Sequence, residues 1–328
     1  MDELVNAEKD RVNLYGAILD CSAPYYMDKT GKYLCTVKLI DETINPDVKN
    51  KAAPENLSVT FFSKTAADLP QATKIGSILR IHRGQSKKFK DKFQLNCDVG
   101  IKGSWVLFDP IDGNTPVAKS GKRCTYSEKD KAHLVSIRKF IKAYFGKQEL
   151  AGITFKEAEK KKPKDFDVLC YVLDVKHKGI IDRVRLCDET QVVKLDLPDN
   201  RKGYLSPFEV IRIRSADFKK SGELTLSEYS NILRVPKEYL SAKELLKSLK
   251  KDKLPADVKD NLALYNPEAE VATKLVGSHK SAKVTSLKTI FGEKLPKGEK
   301  QFRVRVNVVE VGPKDPHDWI CVLNKKEQ

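Results

Sequence analysis

Short β-rich runs dominate the first hundred residues, with apolar and polar positions alternating along them: Val12 to Asp20, Lys32 to Asp41, Leu57 to Phe62, Ser77 to Arg83 and Phe93 to Val99. A period of two marks a strand with one buried face, and five strands in so short a span predict a small barrel. A second group follows at Phe166 to Lys176, Ile180 to Asp188, Gln191 to Leu197, Phe208 to Arg214 and Glu223 to Leu233.

The two groups repeat each other in order. Ile18-Leu19-Asp20 answers to Val172-Leu173-Asp174, Leu39-Ile40-Asp41-Glu42-Thr43 to Leu186-Cys187-Asp188-Glu189-Thr190, and Ile78-Leu79-Arg80-Ile81-His82-Arg83 to Val210-Ile211-Arg212-Ile213-Arg214. The spacing between copies falls from 147 residues at Asp41 and Asp188 to 132 at Arg80 and Arg212. The first copy therefore carries about 15 extra residues, for which the polar stretch Ile44 to Asn56 is the obvious insertion.

Between the copies, Ser127 can cap a helix whose Leu134, Ile137, Ile141 and Tyr144 share one face and which ends at Gly146. Lys156 to Lys164 reads as a solvated basic linker. A helix around Ser241 to Leu249 comes next, then Phe302 to Val311, which alternates like a first barrel strand with only Asp318 to Leu323 after it. The pattern predicts an all-β fold with connecting helices, built as tandem OB-fold five-stranded barrels. Its parts are a first barrel at 10–125, a helical connector and basic linker at 126–162, a second barrel at 163–235, and a linker helix with a partial third barrel at 236–328.

Charge narrows the partners. Across 328 residues, 61 Lys and Arg against 45 Asp and Glu leave a formal net charge of +16, which points to a polyanion. No apolar run approaches the ~20 residues that cross a bilayer, and Met1 to Asp10 is charged, so a soluble intracellular protein is expected. The seven cysteines form no CxxC pair and the five histidines no HExxH, which predicts reduced buried thiols and neither metal nor cofactor. With no GxxxxGK[ST], no GxSxG and no HxE with PCxxC, a binding protein is expected and not an enzyme.

An OB barrel binds a nucleic-acid strand across its second and third strands and the flanking loops. Alternation turns Leu57, Val59 and Phe61 inward and leaves Phe62 on that face. Arg80 and His82 project from the fourth strand of the first copy, as Arg212 and Arg214 do from that of the second. Lys74 to Lys92 holds seven basic residues, including Arg83, Lys87, Lys88, Lys90 and Lys92, against the single acid Asp91; its Phe89-Lys90-Asp91-Lys92-Phe93 reads as a hairpin tip with an aromatic on each side of a polar turn. Rings that stack on bases beside charges that follow phosphates are what single-strand binding needs; a solvated strand face is the plainer alternative. Asp41 and Asp188 close the second strand in each copy, where a carboxylate can accept from guanine N1–H and N2–H or stabilise a turn.

Val12-Asn13-Leu14-Tyr15-Gly16, Ile40-Asp41, Phe61-Phe62-Ser63, Leu69-Pro70, Gly76 to Arg83 and Ser104-Trp105-Val106-Leu107-Phe108 together resemble the telomere end-binding protein alpha subunit and protection-of-telomeres family. The resemblance is weaker through Phe166-Asp167-Val168, Val210 to Ala216 and Tyr229 to Ile232. It implies a nuclear protein of telomeric chromatin, active in telomere capping and maintenance, whose first two barrels grip the G-rich single-stranded 3′ overhang while a third docks a partner subunit. By position it implies that Tyr33, Phe62 and Phe89 meet bases, that Arg80, Arg83 and Lys90 contact the strand, and that Asp41 reads guanine, with Asp188, Arg212 and Tyr229 their candidates in the second copy. The hairpin-tip aromatic is usually tyrosine in this family; Phe89 can stack but cannot donate a hydroxyl hydrogen bond. A general single-stranded DNA-binding or RNA-binding OB protein is the competing expectation, because stacking and charge tolerate any sequence.

Overall fold

The computed structural model describes residues 11–43, 56–89, 92–121, 127–178, 180–197, 201 and 204–249. The expected strand at Phe302 to Val311 and the segment Asp318 to Leu323 lie outside the described residues.

Eight strands form the first sheet: β1 (Val12–Cys21), β2 (Tyr25–Met27), β3 (Lys32–Ile40), β4 (Leu57–Ser63), β5 (Ile78–Phe89), β6 (Lys92–Asp98), β7 (Ser104–Phe108) and β8 (Ala118–Lys119). Their order β1-β3-β4-β6-β5 closes through a β1–β5 pairing, while β2 adds to β3 and β7-β8 extend from β5. The second sheet contains β9 (Phe166–Lys178), β10 (Ile181–Cys187), β11 (Val192–Leu197), β12 (Val210–Phe218) and β13 (Leu224–Arg234), closed in the order β10-β11-β13-β12-β9. Each barrel has one parallel pairing, β4 with β6 and β11 with β13, between its third and fifth strands. That is the OB topology, twice.

Alternation fills both interiors. Val37, Leu39, Val59, Phe61, Ile81, Leu95 and Cys97 are buried in the first barrel, and Val168, Val172, Val184, Leu186, Leu195, Ile213 and Ile232 in the second. Cys21, Cys35, Cys97, Cys170 and Cys187 are buried free thiols.

The repeat extends to backbone strain. Arg83 in β5 and Ser215 in β12 stand at equivalent positions, and both adopt the left-handed region, at φ 58° and 55°. A non-glycine residue holds that conformation only where its surroundings enforce it. In each copy a side chain near the start of the first strand does so: the Arg83 amide donates to Asn13 Oδ1 at 2.8 Å, and the Ser215 amide to Asp167 Oδ1 at 2.9 Å. The fourth strand bends there, a bulge that lets one strand serve two neighbours in succession.

Helix α1 (Glu128–Phe145) begins at a capping box between Ser127 and Asp130, ends at Gly146, and packs on β1 through buried Leu134, Ile137 and Ile141, with Phe145 the last buried residue. A short helix, α2 (Phe155–Lys161), stands where a basic linker was expected. Thr154 and Glu157 form its capping box, and Phe155 and Ala158, one turn apart, are buried in the second barrel's core. Exposed Lys156, Lys160 and Lys161 hide that short apolar face from a reading based on charge. The last described helix, α3 (Leu240–Ser248), follows the second barrel.

Candidate nucleic-acid interface

The outer face of the first barrel is built from four strands in register. Lys38 lies beside Ser58, Ser58 beside Gln94, and Gln94 beside Lys87. One step along, Thr36, Thr60, Asn96 and Gln85 form a second row, and Phe62 with Asp98 a third. On β3, β4 and β6 these side chains alternate with buried neighbours, so phase alone turns them outward, and Lys87 on β5 is exposed. The face offers hydroxyls and amides in the middle, lysines at both edges and a half-exposed phenyl ring at one end. Lys32 Nζ holds the Asp98 carboxylate at 3.2 Å, tying down the negative charge next to Phe62.

The structure brings some predicted residues onto this face and separates others. Phe62 and Lys87 lie on it. Tyr33 is out of phase with it, at the barrel's open end, where its ring sits edge-on to Tyr26 at 5.1 Å. The β5–β6 hairpin forms as expected, with Lys88 opposite Phe93 and Phe89 opposite Lys92. The side chains of those four residues, and all of Lys90, fall outside the described residues. His82 is partly buried; that burial, with Arg83 and Arg80 nearby, holds its pKa below the usual histidine range.

Arg80 turns instead toward α1. Its guanidinium lies 3.4 Å from Asp130 Oδ1 and over the Tyr15 ring at 5.7 Å. The Tyr15 hydroxyl also donates to Asp130. Burial pushes the Asp130 carboxyl up, but the hydrogen bonds from Tyr15 and Ser127 and the Arg80 charge outweigh it and leave the pKa lowered.

Asp41 Oδ1 accepts from the Thr43 amide and hydroxyl, and Asp188 Oδ1 does the same with Thr190. Asp188 is buried and also takes the Phe155 amide of α2 on Oδ2 at 2.6 Å. Its carboxylate is committed to a turn and a helix start, which corrects its assignment as a guanine reader. Asp41 is only half buried.

Arg212 and Arg214 were expected on a binding face and are found at the junction of the barrels. Arg212, 6% exposed, donates to Asp167 Oδ2 at 2.7 Å and to the Leu19 carbonyl of the first barrel. Arg214 Nε meets Asp20 Oδ2 at 3.0 Å. The burial of Arg212 removes it from any strand lying on the surface; its charge is needed to satisfy Asp167. Tyr229 flanks the same junction, donating its hydroxyl to Asp165 Oδ1 at 2.8 Å and packing edge-on to Tyr25. That bond to Asp165 raises its phenol pKa.

Sequence reasoning missed the Thr36–Thr60–Asn96–Gln85 row. Strand phase points to Thr36 and Thr60, but the parallel pairing of β4 with β6, which adds Asn96 and Gln85, has no local signal. Among the described residues no group of three His, Cys, Asp or Glu could hold a metal ion, and no helix is long and apolar enough to cross a membrane.

Two OB barrels, one carrying a polar face edged by lysines and bearing an aromatic ring, define a protein of the single-strand nucleic-acid-binding class. Residues 1–150 match the family described as telomeric single stranded DNA binding POT1/CDC13, and residues 155–247 match the telomere end-binding protein alpha subunit OB2 domain. Over these two stretches the chain resembles the telomere end-binding protein alpha subunit and protection-of-telomeres family. The telomere-binding protein subunit alpha of Sterkiella nova is 27% identical over 350 residues, covering 96% of this chain and 69% of that protein. The telomere-binding protein 51 kDa subunit of Euplotes crassus is also 27% identical, covering 98% and 73%. A crystal structure of fission yeast Pot1 with single-stranded DNA aligns over 73% of this chain and 87% of that one at 15% identity, with a TM-score of 0.34.

Proposed function

We propose that this chain binds and protects the G-rich single-stranded 3′ overhang of telomeres, in the nucleus, as a binding protein and not an enzyme. The observation that carries the reading is the first barrel's outer face, where the Ser58, Thr60 and Phe62 row runs between Lys38 on one side and Lys87 on the other. Phosphates can follow the lysine edges while bases lie over hydroxyls, amides and a ring. The basic β5–β6 hairpin, with Phe89, Lys90 and Phe93 in its sequence, extends this face.

On this reading the barrels at 10–125 and 163–235 both engage the strand and 126–162 sets their spacing, with Tyr33, Asp41, His82 and Arg83 rimming the first and Tyr229 the second. The segment 236–328 faces a partner subunit, as the name of the alpha-subunit relatives suggests. A competition assay at moderate salt tests it: a G-rich telomeric repeat with a free 3′ end should displace a labelled copy of itself better than its C-rich complement or a scrambled strand. Equal competition by all three would instead make this a sequence-tolerant single-strand or RNA binder. Turnover of DNA ends in the presence of divalent metal would overturn the non-enzymatic part.

A further inference from the structure

The second barrel loses two of its expected cations to the junction, yet its own outer face carries two others. Val184 and Leu186 of β10 point into the core, so Arg183 and Arg185 project outward. In register, Lys176, Arg183 and Asp196 form one row, and Asp174, Arg185 and Lys194 the next. The spacing between copies sets Arg183 where the first barrel has Thr36, at the centre of the proposed binding face.

Each arginine is pinned by a carboxylate. Arg183 donates from Nε to Asp196 Oδ1 and from Nη2 to Asp196 Oδ2, both at 2.7 Å, which is the parallel two-bond geometry that fixes a guanidinium plane. Arg185 donates from Nε to Asp174 Oδ2 at 2.7 Å, with Nη2 on the same oxygen. Arg183 remains 38% exposed.

We propose that Arg183, oriented by Asp196, reads the O6 and N7 edge of a guanine in the bound strand. This rests on the single-strand reading above and adds the second barrel's recognition residues to it. A guanidinium held through Nε and one face of Nη2 still presents Nη1 and the outer Nη2 hydrogen side by side, matching two adjacent acceptors. In an unpaired strand that guanine edge is free. The carboxylates decide base over phosphate: Asp196 and Asp174 lie against the two guanidinium groups, and a phosphate there would meet nearby negative charge while a neutral base would not. The lysines at the row ends, Lys176 and Lys194, remain for the backbone.

The test uses the full chain and a G-rich telomeric oligonucleotide in which 7-deazaguanine, lacking N7, replaces each guanine in turn. At one or two positions the native chain should lose about tenfold or more in affinity. Arg183→Lys keeps the charge and loses the fork; it should bind the unmodified strand about as weakly as the native chain binds the modified one, with no further loss when the two changes are combined. Asp196→Asn, which leaves Arg183 in place but loosens it, should shrink the same discrimination, and thermal melting should show both variants folded. If no position couples to Arg183, or if Arg183→Lys weakens every strand equally, the inference is overturned while the single-strand reading stands. Failure of the native chain to bind the unmodified strand would overturn both.

Discussion

Arg214 Nε of the second barrel sits 3.0 Å from Asp20 Oδ2 of the first, and Lys38 Nζ reaches the same oxygen from 3.5 Å. Asp20 is almost fully buried, so its charge needs both cations. Around this pair, Asn231 Nδ2 donates to the Cys21 carbonyl, the Ala23 amide to the Tyr229 carbonyl, and the Arg234 amide to the Thr73 carbonyl. The barrels are joined by side-chain charge and by backbone hydrogen bonds of the kind that normally stay within one sheet.

Removing one partner of such a pair leaves the other charge uncompensated. Arg214→Met and Asp20→Asn should each destabilise the chain, Arg214→Met by roughly 3 kcal/mol, whereas combining the two should recover much of that loss. Urea unfolding of the two single variants and the double variant measures the coupling. Additive losses would mean the contact does not join the barrels energetically.

The same residues show why the repeat was easier to find in the sequence than its purpose. All three matched segments carry a structural role. Asp20 pairs with Lys38 in the first copy as Asp174 pairs with Arg185 in the second. Asp41 and Asp188 close identical turns on Thr43 and Thr190. The arginine segments carry the left-handed bulge. Strand phase was legible because burial imposes it residue by residue, and Phe62 came with it. The fate of Arg80 and Arg212 was not, because the acceptors that capture them, Asp130 on α1 and Asp167 on β9, lie 50 and 45 residues away in the chain. An outward cation on a strand looks the same in sequence whether it meets solvent, a helix or a second barrel.

Asp130 makes the docking of α1 sensitive to acid. Its folded pKa is depressed, so it binds fewer protons folded than unfolded, and the stability it contributes is present above the unfolded value of about 4 and lost as pH falls through the lower folded value. Asp130→Asn should reduce stability at neutral pH and flatten the dependence below about pH 4. Thermal melts from pH 7 to pH 3 on both chains check this; parallel curves would show that other carboxylates carry the acid dependence.

Gly76 is where three parts of the molecule converge. It sits at φ 80°, and a Cβ there would run into the Tyr239 hydroxyl. Tyr239 stacks on Phe145 of α1 at 4.5 Å and donates to the Ile75 carbonyl. Gly76→Ala combines left-handed strain with that collision, so a loss on the order of 2 kcal/mol is expected. Tyr239→Phe removes the hydroxyl and should relieve part of it, a rescue that simple backbone strain would not permit.

Phe62 and Asp41 separate a binding role from a structural one on the same barrel. Phe62 is half exposed on the outer face, beside Asp98, and the argument for stacking predicts that Phe62→Ala weakens single-strand binding by about tenfold or more while leaving the fold intact, since Phe61 and not Phe62 fills the core. Asp41 bonds Thr43, so Asp41→Ala should lower stability through the turn; if it also reads guanine, affinity for the G-rich strand must fall further than affinity for a strand with inosine, which lacks the N2 amine, in place of guanine. Equal loss on both strands confines Asp41 to the turn. Unchanged affinity in Phe62→Ala would remove the ring from the interface and leave the polar Thr36–Thr60–Asn96–Gln85 row without a stacking partner from β4.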